Sequence, residues 1–497
     1  MAEYTLLSST SPGTWRANSG NASKYRILGA IVALIILLFT IRQFQSHDAG
    51  QYTLSNNQLS EEVVLDSPQI RKNVAVASTF GFHFDVYMAV VWTLQRVMRE
   101  GKVQVYTPGP FYFDFQRIVE TYNLYNGTYK SSDTLMEDVT SVEGDGSIDL
   151  IILGTCEIDM KHWSEKLLAA WDARDTAHKF QIVCIVHNVQ DEAWQPTIQE
   201  WSRRNAIRLI PISQHVGNTF LRKFEDLARS TDVAIKSAGY EYIPVDAHIP
   251  ILDLQGLPER TSINRPFSNA VIQGSFSADR RDYTRIFADL NHSLHVEPES
   301  WGYLPLGDGP SFVQDTSIDQ IPFKLHLVGS GWIDVPIELK QLVVFHTNLN
   351  YTEYYQLMSG MDTCIPAFLA ADDTNFKYQA SSSIVMCLET NVPILAVREL
   401  RESYVHIDDD KVTINRPAVM SEFQAIKVLR TGDASDFLDS DPSSSGVTLG
   451  SHSRIRQAVQ EFVREGWVRT KEDFDSRKKL ILKENERIVL KILQDRV

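Results

Sequence analysis

Tyr378 to Val397 reads YQASSSIVMCLETNVPILAV. Three hydroxyls open an apolar stretch with helical spacing, an Asn-Val-Pro turn closes it, and PILAV follows as a short apolar run. A helix turning tightly into a strand without a polar face is the repeating unit of a parallel sheet covered on both sides. The same unit recurs along most of the chain.

Upstream, NVAVAST (Asn73 to Thr79), KVQVYT, IDLIILGT, FQIVCIVHN and IRLIPIS read as strands, with VYMAVVWTLQRVM and MKHWSEKLLAAW among the helices between them. Residues 251–268, with Pro258 and Pro266, read as a linker. The alternation then restarts with NAVIQGSF and continues through FKLHLVGSG, LVVFHTNL and TCIPAF, interrupted by an irregular insertion at roughly 296–322. The expected fold class is therefore α/β, with two Rossmann-like domains (71–250 and 269–434) facing across a cleft. Residues 435–497 form a Ser/Asp-rich loop and a long charged helix that closes the chain.

The chain's 497 residues suit two cores, and 43% hydrophobic content marks it as globular. A formal net charge of −15 with no long basic run argues against a nucleic-acid partner. The run ILGAIVALIILLFTI, Ile27 to Ile41, has 15 residues without a charge, about 22 Å of helix against a hydrocarbon core of about 30 Å. Tyr25 to Phe44 reaches 20 residues if Arg26 and Arg42 snorkel. A transmembrane signal-anchor over 24–45 is the expected reading, ahead of a cleaved signal peptide or a buried helix. Residues 1–23 then form a cytosolic tail and 46–70 a stem. Arg16, Lys24 and Arg26 before the run, and Glu61, Glu62 and Asp66 after it, place the bulk of the chain in the lumen. The sequons at Asn126, Asn291 and Asn350 follow the anchor, as lumenal glycosylation sites would. Cys156, Cys184, Cys364 and Cys387 lie in apolar stretches and read as buried free thiols ahead of disulfides; their spacing gives no zinc motif.

Four strand-to-helix turns carry polar chemistry. Gly81 to Asp85 (GFHFD) sets a flexible backbone, His83 and Asp85 in one loop. His187 ends an apolar strand, with Asp191 in the turn that follows, where an imidazole could act as a base or bind a sugar hydroxyl. Gln273 to Tyr283 (QGSFSADRRDY) combines Gly274 and Ser275 with Arg280 and Arg281, whose planar forks suit phosphate. LVGSG, with Gly329 and Gly331, allows close backbone approach. The opening stretch adds Ser381, Ser382 and Ser383 at a helix start, an anion site by geometry and dipole, with Lys377 just upstream and Glu389 two turns along. Each also has a plainer reading: an ordinary turn, a helix cap or a satisfied core histidine. Asp408 to Asp410 reads as a solvated turn rather than a metal-binding D-x-D, and no dinucleotide fingerprint follows any strand.

The order QGSF…RRDY, LHLVGSG, YYQLMSGMD…IPAF, SSSIVMCLETNVPILAV resembles the donor site of the GT-B glycosyltransferases, family-4-like retaining members in particular, mainly over residues 268–400. The resemblance implies a metal-independent hexosyltransferase with no cofactor. Its nucleotide-sugar donor would be held by Gly274, Ser275, Arg280, Arg281, Gly329, Gly331, Lys377, Ser381 to Ser383 and Glu389. His187, His83 and Asp191 are the catalytic candidates, and Gly81 and Asp85 the acceptor-side loop. The acceptor would be a glycan or glycoprotein, and the location the Golgi or endoplasmic reticulum membrane, single-pass type II. Where the family usually carries two glutamates this chain has Tyr378 and Met386, so the alternative is an inactive binding or scaffolding subunit.

Overall fold

Buried strands of Val, Ile, Leu and Ala set the architecture: LIIL at Leu150–Leu153 and QIVCIV at Gln181–Val186 are buried at every position, as strands covered on both faces must be. The computed structural model describes residues 71–109, 111–144, 147–257, 265–307, 309–317, 321–369 and 373–495. The tail, the expected anchor over 24–45 and the stem lie outside the described residues. Among the described residues, no helix is long and apolar enough to cross a membrane.

The first half contributes β1 (Asn73–Ala77), β2 (Lys102–Thr107), β3 (Tyr129–Ser131), β4 (Leu150–Leu153), β5 (Gln181–Val186) and β6 (Ile207–Pro211). All pair parallel, in the order β3-β2-β1-β4-β5-β6. The second half contributes β7 (Asn269–Phe276), β10 (Lys324–Gly331), β11 (Val343–Thr347), β12 (Thr363–Cys364), β13 (Ile394–Ala396) and β14 (Thr413–Asn415). It repeats the pattern as β11-β10-β7-β12-β13-β14. Each order is 3-2-1-4-5-6, the doubly wound arrangement whose strand order reverses beside the first strand. The irregular insertion folds as a small antiparallel pair, β8 (Tyr303–Pro305) with β9 (Phe312–Gln314).

Among the links that join the halves, two stand out. A two-sided backbone seam links the end of β5 to the approach of the serine helix (Ser382–Glu389). Val189 N–H donates to Tyr378 O at 2.8 Å and Ala380 N–H to His187 O at 3.1 Å, around the antiparallel bridge Asn188–Gln379. The terminal helix, Lys471–Gln494, starts with a capping box between Thr470 and Asp473. Near its start Arg477 donates to the carbonyls of His406 and Val405 in the second half. Further on, Asn485 exchanges two hydrogen bonds with the Ile249 backbone, and Arg96 of the first half donates to Glu486 at 2.8 Å.

The cysteine expectation is corrected. Cys156 is bonded to Cys184 and Cys364 to Cys387. The fold explains it: Cys156 opens the helix that follows β4 and Cys184 lies on the neighbouring β5, while Cys364 lies on β12 and Cys387 on the serine helix, with Cα atoms 5.3 and 6.3 Å apart.

Candidate functional site

The carboxyl ends of both sheets converge on one cleft of about 740 Å³, the position in which open α/β sheets bind ligands. Its first-half wall carries His83 and Asp85 after β1 and His187 after β5. Its second-half wall carries Gly274 and Ser275 near the end of β7, Arg280 and Arg281 after it, Gly329 near the end of β10, and Ser381 and Ser382 at the serine-helix start.

His83 holds a left-handed backbone (φ 58°) at the N-cap of the helix Phe84–Val97, a conformation uncommon outside glycine. Its ring stacks on His187 with centroids 4.3 Å apart, and its Nδ1 lies 3.3 Å from Thr155 Oγ1. Burial lowers both imidazoles: His83 well below its ordinary value, with His187 adding to the effect, and His187 to about 4. Near neutral pH they form an uncharged pair. The His187 turn is held by Glu157, whose Oε1 accepts from the His187 and Asn188 N–H groups at 2.6 and 2.9 Å. Asp85, in the first turn of its helix, remains partly accessible from the cleft. Burial nevertheless raises its pKa to about 6, against the opposing pull of the Val86 N–H.

On the opposite wall, Gly274 and Gly329 are register partners of β7 and β10. A Cβ at Gly329 (φ 154°) would fall 1.9 Å from Gly274 O, and one at Gly274 (φ 129°) 2.5 Å from the Arg281 guanidinium. Their bare backbone therefore forms a floor with no side chain of its own. The side chain of Arg280 is exposed and makes no hydrogen bond or ion pair among the described residues. Asp279 shares its lip. Ser381 makes no side-chain capping bond, so its hydroxyl stays at the cleft with that of Ser382.

Several expected site residues are placed elsewhere. Arg281 borders the cleft, but its guanidinium is committed to Pro366 O, Gln273 O and Ser383 Oγ, so it braces the β7 turn instead of offering a free fork. Ser383 is buried in that network and donates to Gln273 O at 2.6 Å. Lys377 pairs with Asp373, Asp191 pairs with Lys161, and neither lines the cleft. Gly331 packs beside Phe276, and Gly81 faces the Tyr112 ring. Asp408 and Asp410 are both paired with Arg401. Of the sequon residues, Asn126 is exposed, Asn291 lies within the helix Tyr283–Val296, and Asn350 caps the helix Tyr351–Ser359.

Glu389 is the largest correction. It points away from the donor wall into the junction of the halves, accepting from Leu252 N–H at 2.7 Å and lying 3.3 Å from the Tyr355 hydroxyl. Burial raises its pKa to about 8, and the Asp85 charge adds to the effect. Between its unfolded value, 4.5, and about 8 the folded state holds the extra proton. This carboxyl's contribution to stability is therefore fully present below pH 4.5 and is lost as pH rises through about 8. Glu389→Gln keeps an acceptor for Leu252 and a partner for Tyr355. It is expected to flatten the fall in melting temperature between pH 5 and 9, as read by thermal denaturation across that range; an unchanged slope would refute this.

The sequence missed Glu157, although its place two residues after the LIILGT stretch was a usable signal. It also missed His346, a cleft residue whose Nε2 lies 2.9 Å from His326 Nδ1 on the neighbouring strand.

No family model and no curated protein matches this chain. Among solved structures, it is similar to a glycosyltransferase from Rickettsia africae at 10% identity, covering 86% of this chain and 100% of that one, TM-score 0.43. It is similar to Anabaena HepE in complex with UDP and glucose at 11% identity, covering 84% and 98%, TM-score 0.43. A putative UDP-N-acetylglucosamine 2-epimerase from Listeria monocytogenes gives 9% identity, 69% and 84% coverage, TM-score 0.35. Likenesses this distant assign no activity.

Proposed function

We propose that the protein is a GT-B glycosyltransferase that moves a hexosyl group from a nucleoside-diphosphate sugar to a glycan or glycoprotein hydroxyl. One observation carries the reading: across a single cleft, an exposed arginine, a bare glycine floor and a serine-rich helix start face a carboxylate with a pKa of about 6. The second half holds the donor. Arg280 and the helix start at Ser381 and Ser382 meet its diphosphate, and Gly274 and Gly329 let it lie against backbone. Asp85 takes the proton of the acceptor hydroxyl as its oxygen attacks the anomeric carbon. The bond from that carbon to the phosphate oxygen breaks, and the nucleoside diphosphate leaves with the electron pair, its charge met by Arg280 and the helix dipole. A base placed in this way favours inversion over the retention that the family-4 resemblance implies; the anomer of the product decides between them. Because an arginine and a helix start meet the phosphate charge, transfer is proposed to need no metal and to survive chelation.

Two disulfides support the lumenal placement, since such bonds persist in oxidising compartments. The proposed location remains a single-pass type II membrane protein of the Golgi or endoplasmic reticulum, anchored through residues 24–45. The absence of the family's acidic pair, with Glu389 turned into the junction, favours the second reading, a binding or scaffolding subunit without turnover.

The test is thermal shift of the full chain with UDP-, GDP- and ADP-sugars, with turnover measured alongside. A donor at a hundredfold excess over its Kd is expected to stabilise by about 2.7 kcal/mol. Arg280→Ala is expected to leave the unliganded melting temperature unchanged and to weaken donor binding by about tenfold or more, the loss of a charge-assisted phosphate contact. No stabilisation by any donor overturns the transferase reading; stabilisation without hydrolysis or transfer selects the subunit reading.

A further inference from the structure

Five rings lead from solvent to the base of the cleft. Tyr112 stacks on Phe82 with centroids 5.4 Å apart and 23° between planes. Phe82 lies 5.4 Å from Phe80, Phe80 4.9 Å from His83, and His83 4.3 Å from His187. The outer end is open: Phe82 is 47% exposed, Tyr112 56% and Phe113 47%. Phe82 and Phe113 line the cleft itself. Apolar rings exposed together at the rim of a polar cleft mark a binding surface, whereas scattered single ones would not.

The backbone beneath them is arranged for this display. Phe113 and Asp114 are consecutive non-glycine residues in the left-handed region, both at φ 56°, a conformation that persists only where its surroundings enforce it. A Cβ at Gly81 would meet the Tyr112 ring at 3.0 Å, so a side chain there would push the ring outward.

We infer that this ramp is the acceptor subsite, and that it takes a neutral oligosaccharide whose pyranose rings lie on Tyr112, Phe82 and Phe113 while the reacting hydroxyl reaches Asp85. The inference rests on the transfer reading above and adds to it the class of acceptor. A pyranose presents a flat C–H face and a rim of hydroxyls, so it needs an aromatic surface below and hydrogen-bonding groups at the side. Asp85, on the same cleft wall, supplies such a group. Charge selects against an anionic lipid or an acidic glycan: Asp85 lines the same cleft as Phe82 and Phe113, and the whole chain carries −15. Apolar peptides lack the hydroxyl that the base would deprotonate unless they present serine or threonine, and they are an outcome of the test.

Saturation-transfer NMR on the full chain decides it, with cellotetraose, mannotetraose, chitotriose and N-acetyllactosamine as probes and with phosphatidylserine vesicles and a leucine-rich peptide as controls. At least one neutral sugar is expected to receive saturation at its ring C–H protons. Phe82→Ala and Tyr112→Ala are each expected to weaken that binding roughly three- to tenfold, the range of an aromatic contact. Tyr112→Phe is expected to retain it, and UDP-sugar stabilisation is expected to be unchanged in all three. Both truncated residues are half-exposed, so unchanged melting temperatures will show that the fold survives. Absence of sugar binding, binding indifferent to both truncations, or preferential binding of vesicles or peptide overturns the subsite. Failure of every donor to stabilise the wild type, with sugar binding intact, overturns the transfer reading and leaves a carbohydrate-binding ramp.

Discussion

Asp85→Asn is expected to lower kcat by roughly 10²–10⁴-fold, the range for loss of a general base, while donor binding is retained. The carboxylate lies on the first-half wall, opposite the arginine and the serine-helix start, so removing its charge spares the contacts proposed for the diphosphate. The pH profile supplies the sharper test. Burial raises the group from 3.8 to about 6, so the wild-type rate is expected to climb with pH through about 6 as the base ionises. The residual rate of the asparagine variant is expected to lack that limb. Stability should move the other way. A carboxyl raised in the folded state loses stability as pH rises from 3.8 through about 6, so at neutral pH the variant should melt at or slightly above the wild type. A rate that is unchanged, or reduced only through KM, would remove Asp85 from the chemistry.

Arg281→Met is expected to destabilise the fold by about 2 kcal/mol or more, at roughly 1–3 kcal/mol for each buried acceptor stranded, since Pro366 O and Ser383 Oγ lose their donor while Gln273 O keeps Ser383. The guanidinium is nearly inaccessible and holds three groups at once: Pro366 O, Gln273 O and Ser383 Oγ. Those groups belong to the loop after β12, the end of β7 and the serine helix, so one side chain fixes the relative position of three donor-wall elements. Arg281→Lys should fail to rescue it, because a single ammonium cannot reproduce the planar fork. Thermal denaturation with and without donor separates this from Arg280→Ala, which should leave the fold intact. An undisturbed melting temperature with lost donor binding would return Arg281 to the phosphate contact expected from sequence.

That contrast shows what the sequence could reveal. The parallel strands and the βα turns after β1, β5 and β7 were legible because apolar runs, glycine and serine clusters and a helix start are local signals. What each side chain does within those turns was settled at a distance. Arg280 and Arg281 are adjacent and chemically identical, yet partners about a hundred residues away claim only the second. Glu389 has the right spacing from Ser382 to share a helix face, but Leu252 and Tyr355 draw it into the junction. Asp191 is held by Lys161, thirty residues earlier on the helix Cys156–Ala173. The disulfides were illegible for the same reason, since each joins elements made adjacent only by the sheets. The sequence put Asp85 at the turn after β1, where it opens a helix, but its raised pKa reflects burial that neighbouring residues in sequence do not reveal.

Arg71 N–H donates to Leu493 O at 3.0 Å, so the described chain begins and ends at one point. That point lies just before β1, at the amino-terminal edge of the first sheet, whereas the cleft opens at the carboxyl edge. A support attached at either end of the described residues, next to Arg71 or next to Asp495, should therefore present the same face. The support would lie beneath the sheet, and a bulky acceptor would approach from the free side without meeting it.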